Sequence, residues 1–168
     1  MLTTYLSVDI ETTGLDPRMD KIIQIGALRV REGEVKDTFQ TYVNPGRKIS
    51  ERITELTGIE NRMVADAPTI TEILPEFLSF AGEDVLLGHH IIFDYSFLKR
   101  AAVNAGGSFE RQGIDTLKIA RRFLPELESR SLPFLCKHYE IPHRAHDALA
   151  DARATITLYH RLCQDFPV

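Results

Sequence analysis

The spacing of apolar positions changes along this chain, and the change divides it into a strand-rich start and a mixed remainder. Tyr5-Leu6-Ser7-Val8 is a short apolar run that reads as a buried strand. Ile22 to Val30 reads as a second strand, with Gln24 and Gly26 as interruptions. Glu32-Gly33-Glu34 marks a turn, and Val35 to Val43 returns as a third strand, completing an antiparallel meander. Asn44-Pro45-Gly46 ends it. Ser50 to Leu56 predicts a short helix closed by Thr57-Gly58. Ala67-Pro68-Thr69 opens another helix, with Ile70, Ile73, Leu74, Phe77 and Leu78 on one stripe and Pro75 in its first turns. After Gly82 come two strand–helix units: a strand near Leu86 with a helix from Phe93, then a strand near Ile114 with a helix from Thr116. A polar connection from Leu124 to Ser131 leads to helices over Ser131 to Tyr139 and Asp147 to Cys163. No repeat or internal boundary interrupts the pattern. It predicts one α/β domain over residues 1–168, with a mixed sheet flanked by helices.

Composition narrows the class only a little. A length of 168 residues, 43% of them hydrophobic and 26% charged, suits one globular domain with a sizeable core. No apolar run is long enough to span a bilayer. The start, Met1-Leu2-Thr3-Thr4, lacks a basic segment and a signal-like apolar stretch, so a cytoplasmic location is expected. The only two cysteines, Cys136 and Cys163, form no zinc pattern and no disulfide framework, and Cys136 reads as a core residue. The net charge of −4 gives no global basic field, which disfavours tight binding of long duplexes through their phosphates. A single-stranded end held in a cleft remains compatible. Lys99-Arg100 and Arg121-Arg122 are candidates to guide a backbone, against the plainer reading of exposed helix charges.

Three segments carry candidate chemistry. In Asp9-Ile10-Glu11-Thr12-Thr13-Gly14 the two carboxylates are two residues apart on a strand, so both leave the same face. Like charges placed together there are costly unless a cation sits between them, and hard divalent cations such as Mg²⁺ and Mn²⁺ prefer oxygen ligands. Gly14 breaks the strand and lets backbone approach a ligand closely. An ordinary strand ending in a polar turn is the alternative. In Gly88-His89-His90-Ile91-Ile92-Phe93-Asp94, the carboxylate of Asp94 falls in the first turn of a helix just after a strand. Alone it would be a favourable charge at a helix N-terminus. In the third segment, His146 to Thr155, Asp151 lies among small residues near a stripe of Ala148, Leu149, Ala152, Ile156 and Tyr159. His146 stands five residues before it, and histidine is the natural general base near neutral pH. The alternative is a helix cap by Asp147 with His146 on the surface. Counting five residues from His143 reaches Ala148, which binds no metal. The expected register is therefore His146 with Asp151, leaving His143 and Asp147 peripheral.

Side by side, these segments resemble the three motifs of the DEDD exonucleases in their histidine subtype. That is the DnaQ-like 3′–5′ exonuclease family, which includes the proofreading domains of bacterial DNA polymerase III. The family pattern is Asp-x-Glu, then Asp within His-Asn-x-x-Phe-Asp, then His-x-x-x-x-Asp; here it falls on Asp9, Glu11, Asp94, His146 and Asp151. Ile114-Asp115-Thr116-Leu117 and Ser131-Leu132-Pro133-Phe134-Leu135 resemble further family features, and the likeness runs from Tyr5 to about Leu162. One departure is His90, where the family has Asn. It puts local hydrogen bonding and contacts to the terminal nucleotide in question.

The resemblance implies a ribonuclease H-like fold with five strands and two divalent cations, Mg²⁺ or Mn²⁺. Asp9, Glu11 and Asp151 would hold one cation, with Asp9 bridging to a second and Asp94 reaching that second through water. His146 would take the proton from the attacking water, and a nucleoside 5′-monophosphate would leave from the 3′ end. Backbone around Thr12, Thr13 and Gly14 would contact the terminal nucleotide, Leu15 would wedge against its base, and Glu11 could accept from its 3′-hydroxyl. Phe93 fits the core better than a stacking platform. Single-stranded DNA in proofreading or repair is the expected substrate. RNA trimming by the same chemistry is the alternative, because two metals do not read the 2′-hydroxyl. A non-catalytic, polymerase-associated nucleic-acid-binding module is the alternative from another class, and it has no use for a general base. A polymerase subunit is a candidate partner, although the chain ends just after its last helix with no tethering tail.

Overall fold

The computed structural model describes all of residues 1–168. The meander comprises β1 (Tyr5–Thr12), β2 (Ile22–Arg31) and β3 (Glu34–Tyr42), paired antiparallel. The strands β4 (Leu86–Gly88) and β5 (Gly113–Asp115) are parallel to β1 and to each other, giving the sheet order β3-β2-β1-β4-β5. Around the sheet lie α1 (Glu51–Thr57), α2 (Asn61–Val64), α3 (Ile70–Ala81), α4 (Ile91–Asn104), α5 (Thr116–Phe123), α6 (Leu132–His138) and α7 (Ala148–Asp165). No helix is long and apolar enough to cross a membrane.

Local chemistry explains most boundaries. The Ser50 hydroxyl accepts from Ile53 N–H to start α1, and Gly58 closes it at φ 74°, as its sequence predicts. Thr69 and Glu72 form a reciprocal capping box on α3, and Pro75 lies within that helix without ending it. The helix α4 starts at Ile91, two residues before the apolar spacing suggested. The short α2 has no counterpart among the expected elements. Gln24 and Gly26 do not interrupt β2; both lie within one continuous strand.

The two faces of β1 do different work. Leu6, Val8 and Ile10 point into a core with Phe77 of α3 and Phe97 and Leu98 of α4. The opposite face, Tyr5-Ser7-Asp9-Glu11, lies under α7 and grades from apolar to charged. At its start Tyr5 packs with Leu28, Val30, Ile156 and Tyr159, each such burial contributing about 1.5–3 kcal/mol. In the middle the Ser7 hydroxyl donates to the Ala152 carbonyl at 2.7 Å. At its end the two carboxylates meet the first turn of α7.

β2 sets how closely α7 approaches. Gly26 pairs with Asp9, and a Cβ built there would lie 2.4 Å from Leu149 N and 2.5 Å from Ala148 C. Beside it the buried Gln24 side chain accepts from Ala148 N–H at 3.1 Å and donates to Asp147 Oδ1 at 3.4 Å. The residues that looked like breaks in a strand are thus the seat of the last helix. Gly26→Ala should push the start of α7 off the sheet and cost about 1–3 kcal/mol, the usual range for overpacking. Denaturant unfolding would register it, and a variant as stable as the parent chain would contradict this packing.

Candidate active site

The sheet stops pairing where the site begins. β1 meets β4 only through Leu6–Leu86 and Ser7–Leu87, so beyond Gly88 the N–H of Ile10 has no strand partner. Asp94 Oδ1 accepts that N–H at 2.9 Å. The first turn of α4 is thereby fastened to the backbone between Asp9 and Glu11. From the other side, Asp147 caps α7 through Ala150 N–H at 3.0 Å, and Asp151 follows one turn later. Ligand atoms of Glu11, His146 and Asp151 lie within 4.8 Å of one another. His146 adopts a left-handed backbone, φ 63°, an uncommon conformation for a residue with a side chain.

Electrostatics singles out this cluster. Burial, then the charges of Asp94, Asp151, Glu11 and Asp147, hold the Asp9 carboxyl well above the usual carboxylate range. Burial first, then Asp151 and Asp147, pushes Glu11 up to about 7. Burial raises Asp94 to about 8 against the opposing hydrogen bond from Ile10. Asp151 is raised by burial and pulled back by His143 and His146. Asp9 Oδ2 is enclosed with no hydrogen-bond partner. Four acidic groups that resist ionisation, one with an orphaned oxygen, form an oxygen-rich donor set suited to hard divalent cations.

His143 corrects one expectation. Rather than lying at the periphery, its ring is seated on the site, with Nε2 2.5 Å from Asp151 Oδ1 and side-chain exposures of 7% and 12%. Asp147 acts as the expected cap, but its charge also helps, after burial and Asp151, to push the Glu11 carboxyl up.

The turn after β1 forms one wall of an adjoining cleft of about 400 Å³, lined by Glu11 and Thr12 to Leu15, with Phe93 and residues of α1 across from them. Leu15 and Leu56 stand on it 83% and 53% exposed. The turn is braced internally: Thr12 Oγ1 donates to the Gly14 carbonyl, and Thr13 pairs with Lys21 through both its N–H and its hydroxyl. The close approach at Gly14 is to Asp20, whose Oδ2 would lie 2.4 Å from a Cβ placed there. Phe93 both lines the cleft and packs on Phe97 at 5.0 Å. His90 is not gathered with these residues. It borders a neighbouring polar cleft with His89, Arg121 and Arg130. Sequence spacing gave no sign of Ile53 and Leu56 on α1, because the turn and α1 come together only in the fold.

A five-stranded mixed sheet with flanking helices and acidic groups converging at the end of its first strand defines a ribonuclease H-like nuclease fold. The exonuclease family model matches residues 6–159. DNA polymerase III subunit epsilon of Aquifex aeolicus is 35% identical over 96% of this chain and 81% of its own length. The PolC-type DNA polymerase III of Clostridium perfringens is 41% identical over 90% of this chain, which spans only 10% of that relative. Among solved structures, Exonuclease X in complex with 5′ overhanging duplex DNA superposes with a TM-score of 0.79 and 26% identity, over 96% of this chain and 92% of that one. Exonuclease I superposes at 0.84 with 23% identity, over 98% and 41%, and so shares the fold. The chain belongs to the DnaQ-like 3′–5′ exonuclease family.

The raised carboxyl groups give the metal-free protein a signed pH dependence. Folding binds these protons more tightly than the unfolded chain does, from ordinary values of 3.8 and 4.5. Their contribution to stability is therefore full below those values and is lost as pH rises through about 7 for Glu11 and about 8 for Asp94. In EDTA the melting temperature should fall from about pH 6 to about pH 8.5. Asp9→Asn should raise it at the upper end by removing one repelling charge. A melting temperature that climbs over that interval, or an Asp9→Asn protein less stable at about pH 8.5, would contradict the electrostatic assignment.

Proposed function

We propose that the chain is a divalent-cation-dependent 3′–5′ exonuclease that removes nucleoside 5′-monophosphates from the 3′ end of single-stranded DNA, in proofreading or repair. The observation that carries this reading is the convergence of Glu11, Asp151 and His146 within 4.8 Å, beside Asp94 and the unpartnered oxygen of Asp9. DNA is favoured over RNA because the relatives are named as DNA polymerase components and Exonuclease X was solved with DNA. The same relatives support work alongside a polymerase.

The site would hold two cations, Mg²⁺ or Mn²⁺, on Asp9, Glu11, Asp94 and Asp151, and these would polarise the scissile phosphate and neutralise charge in the transition state. The chain's own residues supply the rest. His146 accepts the proton of the attacking water and turns it into the nucleophile. The attacking oxygen bonds to phosphorus as the bond to the upstream 3′-oxygen breaks; that oxygen takes up a proton as the new 3′-hydroxyl of the strand, and the released nucleotide keeps its 5′-phosphate. The braced turn Thr12 to Gly14 presents backbone to the terminal sugar. Leu15 and Leu56 offer apolar contact to its base without reading its edge, which suits an enzyme that must accept any terminal base. Glu11 lies on both the metal cluster and the cleft, so it can also accept from the terminal 3′-hydroxyl.

Purified protein with 5′-labelled single strands tests this directly. EDTA should abolish a 3′-end ladder, Mn²⁺ or Mg²⁺ should restore it, and a circular strand should survive. Activity in EDTA or cleavage of the circle would contradict the reading, and faster turnover of a matched RNA would move it to RNA.

Variants assign the third motif. His146→Ala should lose about 10²–10⁴ in single-turnover rate with metal binding kept. Asp151→Asn should impair metal binding. His143→Ala should shift the metal concentration needed for half-maximal rate while sparing most of the rate at saturation. A His143→Ala defect larger than that of His146→Ala would reverse the roles given to the two histidines.

A further inference from the structure

His90 is the residue from which α4 springs, and its backbone is left-handed at φ 66° and ψ 46°. That conformation brings Cβ against the following carbonyl, so residues other than glycine adopt it singly and only when something holds them there. The His90 side chain caps nothing. What holds its backbone is Asp115, whose Oδ1 accepts from His90 N–H at 2.9 Å. The same oxygen accepts from Leu117 N–H at 3.0 Å.

Capping α5 does not account for this carboxylate. Serine or threonine would cap Leu117 as well, with a shorter side chain. Asp115 is only 7% exposed, and its Oδ2 is enclosed with no partner. The contact that a simple cap leaves unexplained is the one to His90, 25 residues away in sequence. The neighbouring residues tie the same two segments together. Thr116 Oγ1 donates to the Gly88 carbonyl at 3.2 Å and lies 2.9 Å from His89 Nδ1, while His89 Nε2 lies 2.9 Å from the Arg130 carbonyl. The end of β4 is thus laced to the start of α5 immediately before α4 begins.

Asp94 lies one helical turn beyond His90. Its carboxylate must reach Ile10 N–H at the end of β1, and a rotation at His90 would swing the whole first turn of α4 away from it. We infer that Asp115 is a positioning residue: by clamping His90 in its left-handed conformation, it sets the first turn of α4 and thereby the place of the Asp94 carboxylate beside Asp9 and Glu11. The inference rests on the metal-dependent function proposed above for its consequence in catalysis, and on geometry alone for its structural content.

The test uses the full chain with Asp115→Asn, Asp115→Ala, His90→Gly and the double variant Asp115→Ala/His90→Gly. Backbone chemical shifts of His90 to Asp94 are read in EDTA, Mn²⁺ affinity by calorimetry, and kcat and KM on a 5′-labelled single strand. Asp115→Ala should move the His90–Asp94 shifts, weaken Mn²⁺ binding at least tenfold and lower kcat at least tenfold, with KM within threefold. Asp115→Asn keeps an oxygen that can accept from both N–H groups, so it should restore all three readouts to within threefold of the parent chain. In the His90→Gly background, loss of Asp115 should cost no more than threefold, because glycine adopts the left-handed conformation without strain. If Asp115→Ala does not melt cooperatively, Asp115→Ser, which still caps Leu117 but falls short of His90, takes its place against the same thresholds. Unchanged shifts and Mn²⁺ affinity on loss of the carboxylate would overturn the inference. So would an Asn variant as damaged as the Ala variant, or an equal loss with Gly at position 90. A parent chain that binds no Mn²⁺ would overturn the proposed function instead, and the His90–Asp94 shifts would still decide the role of Asp115.

Discussion

The shared burial of four carboxyl groups at the end of β1 is the constraint around which this molecule is arranged. Asp9, Glu11, Asp94 and Asp151 come from three separate elements; burial raises all four, and their charges on one another add to it. Left to themselves they would move apart. They stay because the elements carrying them are held by strand pairing and packing and, for Asp94, by the hydrogen bond its own carboxylate accepts. Asp9 and Glu11 lie on a strand paired to β2 along its whole length. Asp94 is bonded to Ile10 N–H, and Asp151 follows a helix start held by Gln24 and fitted against Gly26. Such a cluster has a use only when something positive arrives to share it, whether proton or metal.

The location follows from the sheet. The parallel ladder between β1 and β4 is two residue pairs long; β4 ends at Gly88 while β1 runs on to Thr12, leaving backbone groups of β1 and space for a ligand at that rim. The face of β1 under α7 then grades from the apolar contact of Tyr5 with Tyr159, through the Ser7 bond to Ala152, to the charged end. One helix and one strand together supply a stable seam and, at the end of that seam, the acidic cluster. The nearby cleft takes its shape from a turn stiffened by hydrogen bonds within Thr12 to Lys21 and from exposed leucines on two elements.

Much of this was legible in the chain. The period-two and period-3.6 stretches located the meander, the strand–helix units and the final helix, because those elements bury continuous apolar faces. The three acidic segments were legible because their spacing matches a known family pattern. What escaped was set by tertiary contact. Gln24 and Gly26 looked like defects in β2, since nothing in the strand itself shows that α7 will sit there. His143 looked irrelevant by count, because the irregular approach to α7 turns its ring back onto Asp151. Asp115 read as part of a strand-to-helix turn, and only the parallel pairing of β4 with β5 brings it to His90. Leu56 joined the cleft only when α1 folded over the turn after β1.

The central claim is that the acidic cluster is a site where divalent cations displace protons. Calorimetric titration of the protein with Mn²⁺ at about pH 7, repeated in buffers of different ionisation enthalpy, measures that exchange directly. Saturable binding accompanied by net proton release is predicted, because Glu11 and Asp94 hold protons near neutrality in the metal-free protein. Absence of saturable binding, or binding with no proton released, would contradict it.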